Sequence, residues 1–278
     1  MYLEKLIKDE IYTKTEVRNL AGLTGMPTRR GLERVITSNG KIVNVVSNSY
    51  GHLPNQIFFK KAEEMMQNSG LNFELQTINR DDRAFVMEFI ISDKSQFTVK
   101  HKDDIILPML RFKNSYDGSE RTSGHFGFYR MVCSNGLHVA KANIHFSIRH
   151  TKNNTHLVMP RLNSLFNRFM NNEFYSIVEK FLKMQSVELL DTKKFVQEVL
   201  ERTKLFKYGC SDKNMNPSKK AREVLKILDN EALAMGTNPN LWLGYNAFNA
   251  VLHRNMKKSF SQQEKLDKVL FDEILEMA

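Results

Sequence analysis

Apolar and polar positions alternate with a period of two across much of residues 32–150, and after about residue 157 apolar residues recur at helical intervals. A period of two places successive side chains on opposite faces of a strand, and a period near 3.6 draws a stripe along a helix. The order predicts an α+β protein: an antiparallel β-sheet meander with a helix between its early strands, followed by a C-terminal helical region. Three segments follow from this, an N-terminal stretch over 1–31, a sheet domain over 32–156, and helices over 157–278 that pack on the sheet.

The first 31 residues carry little pattern. Met1 to Ile11 suits a short helix, and Leu23 to Arg30, with Gly25 and Pro27, suits a loop. Val35-Ile36-Thr37 and Ile42-Val43 flank Asn39-Gly40, the dipeptide that supplies the positive φ angles of a two-residue hairpin turn. Pro54 opens a helix that runs from Gln56 to Asn68 and ends at Gly70. Strands are expected at 72–77, 85–89, 105–116, 125–133 and 143–150. Turns fall at Asn79 to Asp82, at Asp117-Gly118-Ser119 and at Ser134-Asn135-Gly136. In the last strand Ile144, Phe146 and Ile148 point one way and His145, Ser147 and Arg149 the other. Such alternation predicts a sheet with one buried and one open face, the open one carrying Arg111, Lys113, His145 and Arg149.

Among the helices, Leu162 to Met184 forms one helical stretch. Asp191 caps a helix from Thr192 to Phe206, Tyr208 to Pro217 is a polar linker, and Ser218 caps a helix to Leu228. Asn238-Pro239 starts a helix through Leu252. That helix holds the single tryptophan, Trp242, and is apolar nearly all round, as a buried core helix is. Ser261 to Glu264 reads as a capping box for the last helix.

Charge changes the picture. The chain of 278 residues has 41 Lys and Arg against 31 Asp and Glu, a net +10. From Arg121 to Asn172 there is no acidic residue, yet Arg121, Arg130, Lys141, Arg149, Lys152, Arg161 and Arg168 remain. Five of the eight histidines lie in the same stretch. Burial in a sheet would account for missing acids but not for retained cations, so the stretch reads as a surface for a polyanion. Arg121 and Arg130 beside Tyr116 and Tyr129 suit phosphates and stacked bases.

Other chemistry finds little support. No Walker loop, dinucleotide fingerprint or GxSxG elbow occurs. Asp103-Asp104 and Asp117 to Glu120 would be the carboxylates of a metal-dependent nuclease, but both sit where turns are expected. His145, His150 and His156 do not have the spacing of a zinc pair on one element. The two cysteines, Cys133 in a strand and Cys210 in a loop, form no CxxC, and no disulfide framework is expected. No apolar run is long enough to cross a bilayer, and the N-terminus lacks the apolar core of a signal peptide. The expectation is a cytoplasmic protein with no membrane contact, and no catalytic, metal-ligating or cofactor-binding residue is assigned.

Several ordered segments carry a family resemblance. They are Val46-Ser47-Asn48-Ser49-Tyr50 with Leu53-Pro54-Asn55, then Asn114 to Gly118, Arg130 to Leu137, Arg149-His150-Thr151, and Leu241 to Ala250. From about 41 to 255 the chain resembles the phage and plasmid family called domain of unknown function 932. Its pattern has an "sDxY" step, an "nShDGs" step, an "RVVCxNtL" step, an "RHt" step and a terminal "ynAv" helix. Tyr116 stands here for the pattern's His and Gly136 for its Thr. The resemblance implies a place on mobile elements. A sheet followed by helices is loosely similar to phage single-strand annealing proteins, which act as oligomers.

Together these readings lead us to expect a non-enzymatic protein that binds nucleic acid, single-stranded DNA in recombination or replication, as a homo-oligomer in the host cytoplasm. Arg111, Lys113, Arg121, Arg130, Arg149, His150 and Lys152 would meet phosphates, and Tyr116 and Tyr129 would stack on bases. The alternatives are an interaction protein that inhibits a host factor and a metal-dependent nuclease.

Overall fold

The computed structural model describes residues 11–80, 83–92, 99–101, 104–130, 135–137, 145–171, 173, 175–211, 214–253 and 260–278. The expected helix from Met1, the centre of the turn at Asp81-Asp82, and Cys133 lie outside them. The class is α+β, as the alternation predicts. The chain folds into two compact units, each assembled from separated stretches rather than consecutive segments. One takes residues from 1–97, 108–126 and 142–172, the other from 98–107, 127–141 and 173–278.

The first unit begins with a three-stranded antiparallel sheet, β1 (Thr15–Asn19), β2 (Arg34–Ser38) and β3 (Lys41–Val46), in the order β1-β2-β3. The β2–β3 turn has Asn39 at φ 49° and Gly40 at φ 75°, the pair of positive angles that Asn-Gly was expected to supply. Strand β1 was not legible: in Thr-Glu-Val-Arg-Asn only Val17 is apolar, and none of the five residues is buried. A short helix, α1 (Leu20–Thr24), follows it. Helix α2 (Asn55–Asn68) starts one residue after Pro54 and buries Phe58, Phe59, Ala62 and Met66 at i, i+1, i+4 and i+8, and Gly70 lies beyond its end at φ 72°.

In the main sheet β4 (Phe73–Arg80), β5 (Ala84–Ile91), β7 (Asp104–Ser115), β8 (Thr122–Arg130) and β10 (His145–Ile148) stand in the order β10-β8-β7-β5-β4. The edge strand β10 alternates as predicted, with Phe146 and Ile148 buried and His145 and Ser147 exposed. The inner strands do not. All eight residues of β5 are buried, and so are Arg111 and Lys113 of β7. The open basic face expected from alternation is therefore absent at these strands. Helix α3 (Val158–Met170) buries Val158, Leu162, Leu165 and Phe169, and contacts β10 and α2.

In the second unit β6 (Val99–His101) pairs with the start of β7, and β9 (Asn135–Leu137) pairs with the end of β8. Asn135 and Gly136 thus belong to a strand and not to the expected turn. The helices are α4 (Tyr175–Ser186), α5 (Thr192–Thr203), α6 (Lys219–Ala234), α7 (Leu241–His253) and α8 (Phe260–Leu275). The predicted stretch from Leu162 to Met184 is broken after Met170 into α3 and α4. Asp191 and Ser218 do cap α5 and α6, accepting from Lys194 N–H and Ala221 N–H. Lys204, at φ 54°, ends α5 before the expected Phe206. Two short strands, β11 (Gly209–Ser211) and β12 (Asn214–Pro217), pair where a linker was expected, so Cys210 is in a strand. Ser261 is the second residue of α8 rather than its cap. Helix α7 is the core of the unit as its composition implies, with Trp242, Tyr245 and Phe248 at most 1% exposed.

One glycine is fixed by packing. A Cβ on Gly124 would lie 2.6 Å from Phe146, 2.8 Å from Phe112 and 2.9 Å from Leu165. Gly124→Ala is expected to destabilise the protein by about 1–3 kcal/mol, the usual range for overpacking, in urea unfolding.

Candidate functional site

The nine residues expected to touch nucleic acid divide sharply by environment. Arg111 and Lys113 are buried. Arg111 stands directly across the ladder from Glu88, its guanidinium 3.2 Å from the carboxylate, and Lys113 Nζ is 3.9 Å from Glu120. Arg130 is wholly buried in the second unit. Its Nε donates to both oxygens of Asp104, at 2.8 and 2.9 Å, and its other arm donates to Glu231 at 2.7 Å. Trp242 Nε1 donates to the same Asp104 at 2.8 Å, with the guanidinium 5.8 Å from the Trp242 ring centre. These three cations neutralise buried carboxylates and do not form a phosphate-facing surface. Tyr116 is 2% exposed and has no face to offer a base, and Tyr129 is half-buried. Arg121, Arg149 and Lys152 are exposed, and His150 is half-buried.

Three of the five ordered steps of the resemblance, at 46–55, 114–118 and 149–151, meet within the first unit. Tyr50 bridges to Thr151, Gly51 N–H donates to His150 O, and Lys152 N–H to Ser49 O. The approach is close enough that a Cβ on Gly51 would lie 2.4 Å from Thr151 O, so only glycine fits. The Tyr50 and His150 rings stack 5.4 Å apart at 10°, and His52 leans on Tyr116 at 5.1 Å. Beneath them runs a chain of buried hydrogen bonds. Asn114 Nδ2 donates to Leu53 O and to Asn55 Oδ1, and its own Oδ1 accepts from Thr122. Asn55 N–H donates to the Tyr116 hydroxyl, and Tyr50 donates to Ser115 O. At one end Thr15 shares a 2.7 Å hydrogen bond with His52 Nε2, and at the other Thr122 lies 3.4 Å from His150 Nε2.

The network ends in unmet groups. His52 Nδ1, His150 Nδ1 and Asn55 Nδ2 have no partner among the described residues, each a cost of about 1–3 kcal/mol if left dry. Burial first, then the neighbouring His150 and Arg34, pulls His52 down to about 4. Burial lowers His150 too, against an opposing pull from the Gly51 and Glu120 backbone and from Asp117. Burial also pushes the Tyr116 hydroxyl up to about 12. Both shifts favour the neutral imidazole at neutral pH. Thr122 donates its proton to Asn114, so toward His150 it accepts, which leaves Nδ1 of that ring as a lone pair. Among the described residues no group of three or more His, Cys, Asp or Glu is placed to hold a metal ion.

A family model described as Domain of unknown function (DUF932) matches residues 42–270. The chain belongs to that family. Neither the curated proteins nor the solved structures compared gave a match. The DUF932 span takes in every residue of the network except Thr15. Tyr50, His52, Asn55, Thr122 and Thr15 were not assigned from the DUF932 sequence. Only Tyr50 and Asn55 lie in the ordered segments that carry the resemblance, and no local pattern marks His52, Thr122 or Thr15. Among the described residues no helix is long and apolar enough to cross a membrane.

Two outcomes follow. Arg130→Met should cost about 3–5 kcal/mol in urea unfolding, since it leaves the buried Asp104 carboxylate without its cation, whereas Arg149→Ala on the surface should stay within about 0.5 kcal/mol. His52 binds its proton in the unfolded chain below its ordinary 6.5 but in the folded chain only near 4. Stability should therefore fall as pH drops from 6.5 towards 4. His52→Gln should flatten that slope in unfolding curves taken across the window.

Proposed function

We propose that this DUF932 protein binds nucleic acid through exposed cations at the outer end of the β8–β10 ladder. The observation that supports the reading most is a pair of like charges. Ile148 stands opposite Thr122, so Arg149 and Arg121 occupy the next positions outward, just past the ends of the two strands, and both are exposed. Like charges side by side repel each other, and they become favourable when an anion lies between them. Lys152 is exposed three residues further on, and the whole stretch from 121 to 172 lacks an acidic residue to compete. The partner in this reading is single-stranded DNA, handled in phage or plasmid recombination by a non-enzymatic, homo-oligomeric protein of annealing type. Arg111, Lys113 and Arg130 take no part, because they already neutralise buried acids.

Fluorescence anisotropy with labelled single-stranded and duplex oligonucleotides tests it. Binding should weaken steeply between about 50 and 200 mM salt. In Arg121→Ala/Arg149→Ala the salt slope should fall by about 2, because each arginine neutralises one phosphate. Affinity that is flat with salt, or unchanged in the double variant, would sink the reading. A stoichiometric host protein captured in place of nucleic acid would favour an inhibitor.

A further inference from the structure

We propose that the N-terminal end of α2, with His52 and His150, seats a phosphate-type oxyanion. Helix α2 has 14 residues, no side-chain cap on its first turn and no acidic residue there. Its aligned peptide dipoles leave partial positive charge at that end, where an anion is favoured. Asn55, the first residue of the helix, is wholly buried at that end with its Nδ2 unpartnered. An amide nitrogen only donates, so the missing partner is an acceptor and not a cation.

The two unpartnered imidazole nitrogens belong to the same network. Gly51 N–H donates to His150 O, His52 comes next in the chain, and His150 adds to the lowering of His52. The charged and titratable groups that face them are Arg34 and Tyr116 at His52, and Asp117 with Tyr50 at His150, where the Gly51 and Glu120 backbone also favours the protonated ring. Arg34 favours an anion and Asp117 opposes one. His150 Nδ1 is a lone pair in the neutral ring, so it can donate to an oxyanion only after taking up a proton. Binding should therefore consume protons, and it should tighten as pH falls towards 5. The free ion and the terminal phosphate of a nucleic-acid strand share this chemistry. The inference stands on these groups and does not require the nucleic-acid reading.

The test is isothermal titration calorimetry of the full chain with inorganic phosphate, in two buffers of different ionisation enthalpy, at pH 6. Phosphate should bind with net proton uptake, and His150→Gln and His52→Gln should each weaken it by about tenfold, the scale of one lost charge-assisted hydrogen bond. If those variants fail to fold, the wild-type proton count still decides. Absence of phosphate heat, or binding without proton uptake, would mean that solvent alone meets the three nitrogens, and the proposal would be wrong. A 5′-phosphorylated oligonucleotide compared with its 5′-hydroxyl counterpart separates the sources. Tighter binding of the phosphorylated strand assigns the seat to a strand end. Equal binding, with inorganic phosphate still bound, assigns it to the free ion. Oligonucleotide binding without phosphate binding overturns this inference and leaves the nucleic-acid reading intact. Phosphate binding without any oligonucleotide binding does the reverse.

Discussion

The side chain of Asn114 holds the first unit's site together. It lies on a strand with no exposed surface, so each of its polar atoms must be met inside the protein. It meets them with three partners from separate places, the carbonyl of Leu53, the amide oxygen of Asn55 and the hydroxyl of Thr122. The loop before α2, the end of β7 and the start of β8 are thereby fixed to one planar group. A Leu or Val here would pack but would orient nothing. Asn specifies because its donors and acceptor have directions, and a network of this kind rigidifies the groups it joins.

The second unit uses charge for the same purpose. Asp104 accepts from both Arg130 and Trp242, and Arg130 reaches on to Glu231, so two strand ends and two helices share one paired cluster. Removing the carboxylates from water costs several kcal/mol per ion, and only near-complete pairing offsets it. The geometry meets that condition, with contacts of 2.7 to 2.9 Å.

Local signals in the sequence were sound where local physics decides. Asn39-Gly40 specified its turn, Asp191 and Ser218 their caps, and the alternation of Phe146 and Ile148 the facing of β10. The readings that failed depended on partners far along the chain. Arg111 and Lys113 sit at the polar positions of an alternating strand, and only the pairing of β5 with β7, which sets Glu88 opposite Arg111, reveals one of them as an internal ion pair. Arg130 meets an acid 101 residues away. The candidate site was half legible. Its segments were visible in order, but what joins them is hydrogen bonds across 59 to 61 residues, such as that from Asn114 to Asn55 and that from Asn55 N–H to the Tyr116 hydroxyl, which no local pattern encodes.

The placement of Trp242 gives the protein an internal reporter. It is the only tryptophan in the chain, and it is held between Phe181, Tyr245 and the Arg130–Asp104 pair, all in the second unit. Intrinsic indole emission therefore follows that unit alone, and the first unit contributes only tyrosine. A tryptophan introduced in place of Phe73, on the half-buried start of β4, would give the first unit its own signal. The separation between the two unfolding curves would then measure, in one cuvette, how far the melting of one unit drives the other.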